Sequence, residues 1–117
     1  YVSSPELTAA DLLFYEKRIG GLQRAFEVIR EMGNAFDFSK PDSSFFSTVP
    51  LPVIQRLGYL LSLSDETITS SEILYQKAGD AGLHFRFTLL KTVKEKPKKL
   101  PRNEKWKIII NQTIDEE

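Results

Sequence analysis

Cysteine is absent from the 117 residues, which excludes disulfides and thiolate metal sites and leads us to expect a reducing compartment. Histidine occurs once, at His84, so a metal site would need a carboxylate cage, and no Asp/Glu cluster has ligand spacing. Apolar runs such as Ile108-Ile109-Ile110 fall far short of the ~20 residues that a membrane span requires. A secretory leader is not expected, because the first residues are polar and helix-like. Motifs of chemistry are missing as well. There is no G-x-S-x-G elbow for a serine nucleophile, no P-loop and no G-x-G-x-x-G. Gly20-Gly21 lacks both a following Lys-Ser/Thr pair and a preceding strand. The expectation is a cytoplasmic, non-enzymatic protein with no catalytic residues, no metal, no cofactor and no membrane partner.

What is present is one domain's worth of chain with 41% hydrophobic and 27% charged residues, the balance of a globular protein. Its start at Tyr1 rather than Met is expected of a domain excised from a longer chain. The organising stretch is Pro50 to Ser64. Val53, Ile54, Leu57, Leu60 and Leu61 recur at helical spacing, broad enough for a buried helix. Pro52 suits a helix start, where its missing N–H has no intrahelical partner to lose. Gly58 costs about 1 kcal/mol relative to Ala inside a helix, so a close approach by another backbone is expected there.

Around this helix the pattern reads as α+β. A first helix begins at Ser4-Pro5, or through a Ser3–Glu6 capping box, and runs to about Arg18 with Leu7, Ala10, Leu13 and Phe14 inward. After Gly20-Gly21 a second covers Leu22 to Met32, burying Leu22, Ala25, Phe26, Ile29 and Met32. Residues 35–49 read as a loop with a short helix near Pro41 to Phe46, its phenylalanines plugging the core. A Thr69–Glu72 capping box opens a helix to about Ala78, bracketed by Gly79 and Gly82. The period then changes to two. Leu83 to Leu89 alternates apolar and polar, with Phe85 and Phe87 inward, and Lys105 to Ile114 sends Trp106, Ile108, Ile110 and Ile114 to one face. Together these give a helical core of about four to five helices packed on a small antiparallel sheet with a C-terminal hairpin, Tyr1-Val2 being a candidate third strand.

Charge is polarised. Lys91, Lys94, Lys96, Lys98, Lys99, Arg102, Lys105 and Lys107 stand against only Glu95 and Glu104, eight cations to two carboxylates, in a chain whose net charge is zero. Such a loop suits phosphate neutralisation without base specificity, and equally a solvated connection. Arg18, Arg56 and Arg86 are further cations that either extend the patch or serve as ordinary surface residues. His84 lies on the polar side of its strand beside Arg86, where a rim residue is expected.

Three strings, in order, carry a family resemblance. Val2-Ser3-Ser4-Pro5-Glu6-Leu7-Thr8-Ala9-Ala10-Asp11-Leu12 resembles the S-S-P-E-x-T-x-x-D-L opening of the C-terminal domain of AbiEi-family antitoxins. Gln55-Arg56-Leu57-Gly58-Tyr59-Leu60-Leu61 is similar to its R-L-G-Y-L-L helix, and Arg102 to Asn111 to its R-N-x-x-W-K-x-x-x-N close. The resemblance implies an antitoxin and transcriptional regulator of a bacterial type IV toxin–antitoxin, abortive-infection system. Members carry an N-terminal winged helix that binds promoter DNA, which this chain lacks, and a C-terminal domain needed to neutralise a nucleotidyltransferase-like toxin. Direct contact with that toxin is not implied by type IV logic. Two rival classes stand beside it: a nucleic-acid-binding module acting through Lys91–Lys107, and an enzyme using His84.

Overall fold

The computed structural model describes residues 5–15, 21–32, 36, 49–90 and 100–110, with side chains from residue 8 onwards. Among these residues four helices and three two-residue strands form in the order α1 (Pro5–Phe14), α2 (Leu22–Glu31), α3 (Leu51–Ser62), α4 (Ile68–Asp80), β1 (Thr88–Leu89), β2 (Arg102–Asn103) and β3 (Ile108–Ile109). The architecture is α+β with a helical core. No helix among the described residues is long and apolar enough to cross a membrane.

Helix α3 is the hub, touching α1, α2, α4 and β3. Its apolar stripe falls where helical periodicity places it: Ile54, Leu57, Leu60 and Leu61 are fully buried and Val53 nearly so. Pro50 precedes the first turn, its carbonyl accepting from the N–H groups of Val53 and Ile54 at 3.0 and 3.2 Å. Helix α2 likewise buries Leu22, Ala25, Phe26 and Ile29, while Met32 is only half-buried. Helix α1 buries Ala9, Ala10 and Leu13. Phe14, expected inward, is instead 55% exposed, because α1 ends there and nothing among the described residues closes over its last turn.

The start of α4 also departs from expectation. Thr67, not Thr69, precedes the helix, and its hydroxyl donates to the Leu61 carbonyl at 2.6 Å instead of capping its own helix. That bond satisfies one of the carbonyls left open at the end of α3. Ser71, one turn on, donates to the Gly58 carbonyl at 2.8 Å. Two hydroxyls thus lock α4 against α3. Gly79 lies inside α4 rather than beyond it, and the helix closes at Gly82, whose φ of 79° suits glycine. Gly82 N–H donates to the Gly79 carbonyl at 3.0 Å and Leu83 N–H to Ala78 at 3.1 Å, a Schellman closure.

The sheet is mixed, not antiparallel. Strand order is β1-β3-β2: β1 pairs with β3 in parallel, Thr88 opposite Ile108, and β2 with β3 antiparallel, Asn103 opposite Ile108. A reversal not anticipated from the alternation causes this. Asn103 Oδ1 accepts the Trp106 backbone N–H at 2.8 Å and closes a turn over 104–107, from which the chain leaves through Lys107 at φ 53°. Lys105 is therefore a turn residue, and the chain after it runs alongside β1 instead of against it. The connection through residues 91–99, the short helix expected at 41–46 and the Tyr1-Val2 strand all lie outside the described residues.

Candidate functional site: a basic and aromatic face

Three aromatic rings anchor the C-terminal segments to the hub. Trp106 is fully buried, stacked on Phe85 at 5.4 Å between centroids and meeting Tyr75 edge-on at 5.3 Å. Its other neighbour is Gly58 of α3, where a Cβ would overlap the indole ring. The close approach expected at Gly58 is thus made by a side chain, not a backbone. Beside it, the buried side chain of Gln55 donates from Nε2 to the carbonyls of Arg86 at 2.7 Å and Trp106 at 2.9 Å. Arg56 Nε donates to the Leu89 carbonyl at 2.8 Å. Residues 55, 56 and 58 therefore clamp two extended segments against one helix. We expect Gln55→Leu to lower stability by about 1–2 kcal/mol, since it leaves those carbonyls without their buried donor; urea denaturation checks this.

Outside the clamp the alternation expected of Leu83 to Leu89 holds over Leu83 to Arg86, with Leu83 and Phe85 packed against the core and His84 and Arg86 exposed, and fails from Phe87 on. Only Thr88 and Leu89 pair as strand, Leu90 is buried in place of Leu89, and Phe87, expected inward, is 39% exposed. The slip falls at Phe87–Thr88, where the chain enters the ladder with β3. The exposed ring lies within reach of two cations: the Arg102 guanidinium and the Lys107 ammonium each stand 5.0 Å from its centroid. On α4, Lys105 Nζ is 4.8 Å from the ring of Tyr75, which is 41% exposed.

Arg102, Lys105 and Lys107 of the predicted basic run are brought together here, by the β2–β3 turn. Lys91, Lys94, Lys96, Lys98 and Lys99 lie outside the described residues. Between α4 and the turn is an open cleft of about 350 Å³, with Tyr75, His84, Phe85, Glu104, Lys105 and Lys107 in its walls. His84 is an exposed residue of this rim, and Arg86 is exposed beside it. Among the described residues no group of three or more His, Asp or Glu could hold a metal ion. Sequence reading named the cations but missed Tyr75 and Phe87. Tyr75 falls off the Leu74–Ala78 stripe of α4, which signals exposure, whereas nothing local marks Phe87.

No protein-family model matches the chain, and neither a curated protein nor a solved structure matches it.

Proposed function

We propose that this chain is a non-enzymatic antitoxin and regulatory domain, which helps to neutralise a nucleotidyltransferase-like toxin in a bacterial type IV system. The carrying observation is that the three strings resembling the AbiEi family pack on one another. The first supplies α1, whose Ala9 and Ala10 are buried against the core with α3. The second supplies Gly58 and the third Trp106, and these two are in contact. Asn103 of the third string makes the turn that delivers Trp106. Residues that depend on one another in this way account for the strings occurring together, and the outward features left over are cations and aromatics suited to binding. Co-expression with the toxin encoded beside it tests the proposal. Growth should recover; arrest that persists while the chain stays soluble rules the reading out.

A second reading, a nucleic-acid-binding module working through Lys91–Lys107, is favoured by the convergence of Arg102, Lys105 and Lys107 on one face. Lysines that neutralise phosphates release counterions, so affinity should fall steeply with salt. Replacing Lys98 and Lys99 together by Ala should flatten the log–log salt slope by about two, measured by titration at several ionic strengths. Salt-insensitive binding, or none at low salt, removes this reading.

A further inference from the structure

Resting on that second reading, we propose that the face formed by α4 and the β2–β3 turn takes single-stranded nucleic acid, with one base against Tyr75 in the cleft and another beside Phe87. Lysines alone do not discriminate between single and double strands, because both present phosphates. Rings do. A base in a duplex has both faces stacked, whereas a base in a single strand offers a free face to an exposed aromatic side chain. Here two partly exposed rings each stand beside cations. Phe87 has Arg102 and Lys107 at 5.0 Å, and Tyr75 has Lys105 at 4.8 Å.

The cleft beside Tyr75 fits the same occupant. Its volume, about 350 Å³, is of the order of one nucleoside, and its walls combine the rings of Tyr75 and Phe85 with Lys105 and Lys107. Among the described residues Glu104 is the one carboxylate in those walls. Charge complementarity favours a polyanion: Arg102, Lys105 and Lys107 outnumber Glu104, and the run from Lys91 to Lys99 leads directly into β2. The Arg102 guanidinium lying over Phe87 can stack on a base in its turn, while the Lys105 and Lys107 ammonium groups, on flexible stems, can swing from the rings to phosphates. The tight turn contributes too. With Trp106 buried between them in the sequence and Lys107 at φ 53°, Lys105 and Lys107 both reach the wall of the cleft.

Fluorescence anisotropy with a labelled oligothymidylate and a labelled mixed-sequence duplex of equal length tests this. The oligothymidylate should bind about tenfold tighter than the duplex. Phe87→Leu and Tyr75→Leu should each weaken it about tenfold while leaving the salt slope unchanged. Lys105→Ala should lower that slope by about one. Thermal melting of each variant reports folding; because Phe87 is partly exposed, Phe87→Leu carries the test even where Tyr75→Leu unfolds. Duplex binding as tight as single strand overturns the proposal and leaves the second reading intact. Wild-type affinity in a folded Phe87→Leu variant also overturns it, as does polyglutamate competing as well as oligothymidylate. Failure to bind either nucleic acid at low salt removes both this inference and the second reading, while the antitoxin reading stands on its own growth assay.

Discussion

Trp106→Ala should lose about 3–5 kcal/mol of folding stability, read as a fall in the urea midpoint. Domains of this size are stable by only about 5–15 kcal/mol, so that loss leaves the fold marginal. The magnitude follows from what the indole touches. It is fully buried, has Phe85 and Tyr75 against it, lies over Gly58, and its backbone carbonyl accepts from Gln55. Truncation opens a cavity bordered by α3, α4 and the extended segment before β1, and these elements cannot all collapse into it together. Trp106→Phe should cost less than half as much. The buried indole N–H has no hydrogen-bond partner among the described residues, so a phenyl ring gives up packing but no polar contact. Equal losses in the two variants would show that the indole is not held by packing as described.

Gly58→Val should be nearly as damaging, at about 3 kcal/mol. The sign is the informative part. In an ordinary helix, replacing glycine by alanine gains about 1 kcal/mol, yet at position 58 even a single Cβ overlaps the Trp106 ring. Gly58→Ala should therefore destabilise, and the penalty should vanish once the ring is shortened. In the double variant Gly58→Ala with Trp106→Leu, stability should equal or exceed that of Trp106→Leu alone. Double-mutant-cycle analysis of urea curves gives the coupling, which should be at least about 1 kcal/mol and opposite in sign to the single effect. Additive losses would mean that the helix, not the indole, sets the requirement for glycine.

Both expectations concern stability, and both sit on residues of the strings that resemble the antitoxin family. Gly58, Asn103 and Trp106 are structural in this fold: one admits a ring, one makes the turn, one fills the space. The proposed binding falls to the side chains around them. That division explains why core variants should report on folding, whereas Phe87, Tyr75 and Lys105 should report on recognition with the core intact.

Helix identity and the inward face of the hub were legible from residue order, because a 3.6-residue period is a local property of the chain. So was the burial of Trp106 and Ile108, and so was the imbalance of charge toward the C-terminal third. Strand direction was not. Whether β3 runs with or against β1 turns on one side-chain bond, from Asn103 Oδ1 to the Trp106 N–H, and such a bond leaves no periodic trace. The outward position of Phe87 escaped as well, since it sits at a slip of register where the chain enters β1, and the regular alternation of Leu83 to Arg86 gives no sign of that slip. Nothing in the sequence marks Gln55 as buried; only the arrival of the Arg86 and Trp106 carbonyls, 31 and 51 residues away in sequence, makes it a clamp. Periodicity specifies which side of an element is apolar, and the sequence alone determined that much. Which distant group meets that side depends on loop geometry and on pairing across the core, and that was decided in three dimensions.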